Sequence, residues 1–212
     1  MLNEDIYIVG SGPYGEVMFE LAEICGYNVA GYFDEFDEKQ GCTVMGTKVI
    51  DKLSNIKDEE IRGKKFIVAM GSNETRLKHM ERIKCAGGVL PTLIHPTAVI
   101  SKSAIIGEGV YIQANVTVWT KSKISDFCIL SPNVVVAHHS SVGKACLISS
   151  QSAIGAYIEI ANRVFVGMGA TVVTGVNKIG ENSTIGAGAV VLKDVEPNSV
   201  YVGVPAKKLR DK

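Results

Sequence analysis

His138 and His139 stand side by side, two and three residues after Val136, and no other pair in the chain so plainly offers acid–base chemistry. An imidazole can take a proton from an attacking amine or hydroxyl at neutral pH, as acyl transfer from a thioester requires. The other two histidines have plainer readings. His79 lies among Lys78, Glu81 and Arg82 in a helical stretch and reads as a solvated surface residue, and His95, just before Pro96, reads as structural. A second chemical signal is Gly10-Ser-Gly12-Pro-Tyr-Gly15, between an apolar strand and a helix, with an acid, Asp34, further on. That spacing suggests dinucleotide binding. However, Pro13 removes one amide from the loop, and only about 60 residues follow Asp34 before the next region, half a dinucleotide fold at most. A nicotinamide-dependent dehydrogenase is therefore disfavoured. Cys25, Cys42, Cys85, Cys128 and Cys146 lie at no metal-ligand spacing, so no metal is expected.

The histidine pair is set in a six-residue beat. Aliphatic residues occupy every sixth position from Ile94 to Val172, and after a one-residue slip near 176–178 the beat resumes at Ile179, Ile185 and Val191. Neither a helical period of 3.6 nor a strand period of 2 produces this. A chain of short flat strands that turns a corner every six residues does, with the aliphatic side chains stacked along the axis: a parallel β-helix. The position two before each beat is often small or apolar and also points inward, so Cys128 and Cys146 read as buried thiols. His138 and His139 fall at a corner, facing outward toward a neighbouring subunit. Trp119 and Val135 on the flat outer faces suggest self-association.

The N-terminal third reads as a small, half-Rossmann-like α/β unit over residues 1–92, ahead of a coil over 93–212. Strands are predicted at 6–9, 28–33 and 65–70, with helices at 17–25 and 74–86. Ligands of such a unit sit at the carboxyl ends of its strands. That singles out Gly12, Pro13 and Tyr14, Asp34 and Glu35, and Gly71, Ser72 and Asn73. Three such loops could hold a nucleotide-linked group, or the glycines could simply make tight turns. Lys+Arg and Asp+Glu balance at 22 each, which lacks the footprint of a nucleic-acid binder. Apolar runs of about seven residues are too short to span a bilayer, and no membrane insertion is expected. The acidic N-terminus resembles no signal peptide, so a reducing, cytoplasmic location is expected.

The hexapeptide coil, the α/β unit, the His138 corner and the C-terminal Tyr201-Val-Gly-Val-Pro205-Ala-Lys together resemble the bacterial sugar O- and N-acyltransferases. These include sialic acid O-acetyltransferases and nucleotide-linked 4-amino-sugar N-acetyltransferases. The resemblance spans essentially the whole chain and is most specific at 164–173, 179–194 and 201–207. It implies a left-handed β-helix, a homotrimer with active sites between prisms, and acetyl-CoA as acyl donor without metal. Carried over by position, His138 is the base, and the loops at Gly12–Tyr14, Asp34–Glu35 and Gly71–Asn73 hold the nucleotide. Coenzyme A then lies near Leu147, Met168 and Ala187, with Pro205 at its adenine end. Two positions depart from the family pattern: His139 stands where many members carry Glu or Asp, and Leu147 where many carry histidine. The activity implied is N-acetylation of a nucleotide-linked amino sugar of the 4-amino-4,6-dideoxy type in surface-glycan biosynthesis. The alternatives are O-acetylation of a sialic acid or other sugar, and a non-catalytic β-helix that binds sugar nucleotides. An amine is the easier nucleophile, which favours N-acetylation where the orienting carboxylate is missing.

Overall fold

In the computed structural model, which describes residues 4–212, the chain divides after Leu93 into two compact units. The first runs β1 (Glu4–Val9), α1 (Pro13–Ile24), β2 (Tyr27–Phe33), β3 (Thr43–Val44), β4 (Thr47–Asp51), α2 (Asp58–Ile61), β5 (Lys65–Val68) and α3 (Asn73–Cys85). The sheet order is β3-β4-β2-β1-β5, parallel throughout except for the β3–β4 hairpin. Ile6, Ile8 and Val9 of β1 and Phe66, Ile67 and Val68 of β5 are all buried, the continuous apolar run of a parallel sheet covered on both faces. From β1 the chain winds to one side through β2 and β4, then returns to place β5 on the other. The β1–β5 edge is therefore a topological switch point, and the loops after both strands open there.

Three local features differ from the sequence expectation. Helix α1 begins at Pro13 rather than 17, because proline fits the first helical turn, where its missing N–H has no partner to lose. Strand β5 ends at Val68, and Ser72 caps α3 by accepting from Thr75 N. The β3–β4 hairpin was not anticipated. Its two-residue turn, Met45-Gly46, has positive φ at both positions, the geometry that suits the twist of paired strands.

The second unit is a left-handed parallel β-helix with three faces. Thr117–Val118, Val135–Val136 and Ala153–Ile154 belong to its first face, Lys123–Ile124, Ser141–Val142 and Glu159–Ile160 to its second, and Ile129–Leu130, Leu147–Ile148 and Phe165–Val166 to its third. Thr117 pairs with Val135 and Val135 with Ala153, each step 18 residues, or three strands per turn. Across the slip the step becomes 19, as in Glu159 with Lys178 and Thr171 with Val190. The beat residues from Ile112 to Val191 are buried along the axis, each burial worth roughly 1.5–3 kcal/mol. Ile94 is exposed, because it lies on the coil's first rung. Every sixth residue from Asn115 to Arg163 has φ between +56° and +65°. Such corners cost a non-glycine residue about 1–2 kcal/mol. Each is held by its backbone N–H: Phe127 N bonds Glu108 O at 2.9 Å and Arg163 N bonds Lys144 O at 2.8 Å. Buried serines two before the beat are satisfied across the coil, as Ser122 Oγ is by Ala137 O and Ser152 Oγ by Gly167 O.

Candidate active site

His138 and His139 form a corner between the first and second faces. The inward residues on either side, Val136 and Ser140, are buried, which turns the two imidazoles outward. His139 takes the left-handed corner conformation (φ 60°), and its N–H donates to Thr120 O at 3.0 Å in the preceding turn. The His138 carbonyl accepts from Tyr157 N at 3.2 Å in the following one. Ser140 Oγ donates to Gly155 O at 2.8 Å and accepts from Ile158 N at 3.0 Å, locking the corner from inside. On this clamped backbone the two Nδ1 atoms lie 3.0 Å apart. Trp119 stacks near His138, and Tyr157 meets the edge of His138 while lying nearly parallel to His139, with centroids 4.9 Å apart. His138 is half-buried and His139 exposed. Both line an open groove of about 550 Å³, with Val99, Thr117, Trp119 and Thr120 as further walls.

Leu147, Met168 and Ala187 lie elsewhere on the coil. Leu147 is on the third face, and Met168 and Ala187 follow that face's strands at the corner leading to the first face. Gly188 N donates to Met168 O at 2.8 Å, so those two corners are stacked neighbours. Met168 and Ala187 are exposed. Pro205 is exposed beside the same corner, because Ala206 N bonds Val190 O at 2.8 Å. The coil therefore gathers Met168, Ala187 and Pro205 on one edge and places the histidine pair on another.

In the α/β unit, Gly10–Gly15 is shaped by its own backbone. Gly10 has φ +102°, and a Cβ on Gly15 would meet Gly10 O at 2.3 Å. Gly12 and Pro13 open α1 with no side-chain cap. Asp34, one of the loop residues expected to hold the nucleotide, is engaged within the unit. Its Oδ2 accepts from Ser11 N at 2.8 Å and Ser11 Oγ at 2.7 Å, and its Oδ1 from Phe36 N at 3.2 Å. Burial alone would raise this carboxyl, yet the Ser11 and Phe36 bonds hold it below the usual carboxylate range. Glu35 is likewise engaged, by Ser54 N at 3.1 Å and Ser54 Oγ at 2.6 Å. Gly71 and Ser72 are exposed, and the Ser72 hydroxyl serves the α3 cap. Asn73 Oδ1 accepts from Arg76 Nη2 at 2.8 Å.

Arg76 escaped the sequence reading. It is fully buried, bonds Met70 O at 3.0 Å, and supplies the positive charge that opposes the effect of burial on Tyr14, whose hydroxyl is pushed up to about 12. Its signal was its spacing, since Arg76, Met80 and Ile83 form the buried stripe of α3. His79 also departs from the expected solvated residue: it is half-buried, and burial pushes its imidazole down. Cys128 and Cys146 are buried, with Sγ 3.0 Å from Gly143 O and 3.1 Å from Ala161 O. Among the described residues, no group of three or more His, Cys, Asp or Glu side chains could hold a metal ion, and no helix is long and apolar enough to cross a membrane.

An α/β unit followed by a hexapeptide coil with a histidine corner defines an acyltransferase architecture, and comparison with known proteins agrees. Residues 5–83 match the PglD N-terminal domain family and residues 89–177 the GMPPB C-terminal domain family. The structure of PerB from Caulobacter crescentus in complex with CoA and GDP-perosamine is 32% identical with a TM-score of 0.89, over 99% of each chain. The acetyltransferase domain of PglB from Neisseria gonorrhoeae is 30% identical with a TM-score of 0.87, over 98% of this chain and 100% of that one. GDP-perosamine N-acetyltransferase of Escherichia coli O157:H7 is 28% identical over 174 residues, 80% of this chain and 78% of that protein. For two other curated relatives the match spans about half their length, 42% and 52%. The chain belongs to the hexapeptide-repeat, left-handed β-helix acetyltransferases of the PerB and PglB type.

Proposed function

We propose that this protein transfers an acetyl group from acetyl-CoA to the amine of a nucleotide-linked amino sugar, with His138 as general base. The observation that carries the reading is the half-buried His138 lining an open groove, in a chain that aligns end to end with an acetyltransferase bound to CoA and GDP-perosamine. A GDP-perosamine N-acetyltransferase from Caulobacter crescentus, matching over 100% of this chain, has been solved with CoA and GDP-perosamine as a variant in which one histidine is replaced by alanine. The α/β unit would bind the nucleotide through Gly12, Pro13, Tyr14, Gly71, Ser72 and Asn73, with Asp34 and Glu35 bracing the loops from behind. Met168, Ala187, Pro205 and Leu147 would contact coenzyme A, and the exposed Met168 and small Ala187 give the cofactor an apolar, uncrowded edge.

The amine nitrogen attacks the thioester carbonyl carbon, the N–C bond forms and the C–S bond breaks. The proton lost by the amine goes to Nε2 of His138 and from there to the departing thiolate. Because the base and the cofactor edge sit at different corners of one coil, a trimer in which neighbouring coils share each site fits this arrangement. Val99 and Trp119, exposed on or beside the first face, would be buried between subunits. The test is thiol release from acetyl-CoA across a panel of nucleotide-linked 4-amino sugars, free sialic acids and water alone. Release only with amino-sugar nucleotides is expected, whereas release only with hydroxyl acceptors, or none, would overturn the reading. The galactoside O-acetyltransferase match covers only 50% of this chain, while the perosamine N-acetyltransferases match over 80% or more.

A further inference from the structure

His138 and His139 present Nδ1 to Nδ1 at 3.0 Å, so one proton lies between two nitrogens: one ring donates and the other must accept. If His139 donated, neutral His138 would carry its proton on Nε2 and have no lone pair for the groove. If His138 donates, its Nε2 is free to act as a base, and the Nε2–H of exposed His139 is satisfied by water. Half-buried between Trp119 and Tyr157, His138 gains a positive charge on each turnover, and that charge needs an acceptor at Nδ1.

No carboxylate in the coil's own sequence stands at this corner. The corner pairs of successive turns are Lys102–Ser103, Thr120–Lys121, His138–His139, Ala156–Tyr157 and Thr174–Gly175. At this corner, the titratable groups of the adjoining turns are Lys121 before and Tyr157 after. Lys121 holds the same corner position one rung away, about 4.8 Å along the coil. Tyr157 stacks on His139 at 19°, which fixes the plane of a ring that would otherwise turn freely in solvent.

We infer that His139 is the positioning residue of the base: neutral, it accepts the Nδ1–H of His138 through its own Nδ1, and Tyr157 holds its ring flat in that orientation. The pair does the work of an imidazole–carboxylate couple without a negative charge. It rests on the proposed transferase reading for its catalytic meaning, though not for its proton assignment. An imidazole accepts only while neutral, whereas a glutamate carboxylate keeps accepting down to about pH 4. A proton on Nδ1 of both rings would set N–H against N–H at 3.0 Å, so the pair holds together only while His139 keeps its Nδ1 lone pair.

Two measurements test this. Nitrogen-15 NMR of the imidazoles in the unliganded wild-type protein should show His138 protonated at Nδ1 and His139 at Nε2; the opposite pair of tautomers overturns the assignment. In pH profiles of kcat, His139→Glu should move the acid limb up by at least about one unit, because a carboxylate at His138 Nδ1 favours the protonated form of the base. Tyr157→Leu should lower kcat about tenfold with the KM for acetyl-CoA unchanged, and Tyr157→Phe, which keeps the ring, should recover most of the loss. An acid limb unmoved in His139→Glu, or a Tyr157→Leu enzyme with normal kcat, overturns the positioning role. If wild type released no thiol at any pH, the transferase reading would fall, and the tautomers alone would decide the proton assignment.

Discussion

One oxygen of Asp34 accepts both the backbone N–H and the hydroxyl of Ser11, at 2.8 and 2.7 Å. The loop after β1 is thereby tied to the end of β2, and its glycines are held in place before any ligand arrives. Asp34→Ala would leave the buried Ser11 donors without an acceptor, a loss of about 2 kcal/mol. Urea unfolding should show it as a lower midpoint with an unchanged slope, and Asp34→Asn, which keeps one acceptor oxygen, should cost less. The sign with pH follows from the lowered folded-state value of this carboxyl: its contribution is present above the ordinary carboxylate pKa and is lost as pH falls through the folded one. The gap between wild type and Asp34→Ala should therefore close on acidification.

The glycine loop makes a second, purely steric prediction. In Gly15→Ala the new methyl would sit 2.3 Å from the Gly10 carbonyl oxygen, a backbone atom that cannot swing aside. A loss of about 1–3 kcal/mol is expected, the range for forced overpacking, and thermal unfolding reads it directly. Gly12→Ala is the control, since a Cβ there meets nothing within 4 Å. Equal stability of the two variants would contradict the packing seen at this loop.

Most of the coil was legible because an axis filled by one side chain per strand forces a period of six, which no other structure imitates. The left-handed corners were not: positions such as Lys121, Phe127, His139 and Arg163 share a backbone conformation but no chemistry. Their cost is offset by bonds from their backbone N–H groups to the neighbouring turn, most of them to backbone oxygens that residue types do not reveal. The same limit applies to Asp34. Its distance from the glycine loop was visible in sequence, but that Ser11 already fills its carboxylate was not. Arg76 was not singled out in the sequence; its spacing with Met80 and Ile83 is what marks it for burial.

Assembly can be tested through the first face. Sedimentation should give about three times the chain mass of 22.7 kDa at micromolar concentration. Trp119→Asp, which puts a charge on an exposed apolar site, should shift the species toward monomer while the coil's circular dichroism stays unchanged. A wild-type protein that sediments at 22.7 kDa would remove the shared-site arrangement.

The cofactor edge and the base should separate kinetically. Met168→Glu sets a carboxylate on an exposed corner proposed to contact coenzyme A, so the KM for acetyl-CoA should rise about tenfold or more with little change in stability. His138→Ala should instead lower kcat by about 10²–10⁴-fold with acetyl-CoA affinity retained, the usual consequence of losing a general base. Neither side chain supports the axis of the coil, since the buried cluster is built from the beat residues and those two before them. Loss of activity through unfolding would thus show as loss of the cooperative thermal transition, which both variants should keep. If His138→Ala raised only KM, the histidine corner would be a binding contact, and the proton would have to leave the amine by another route.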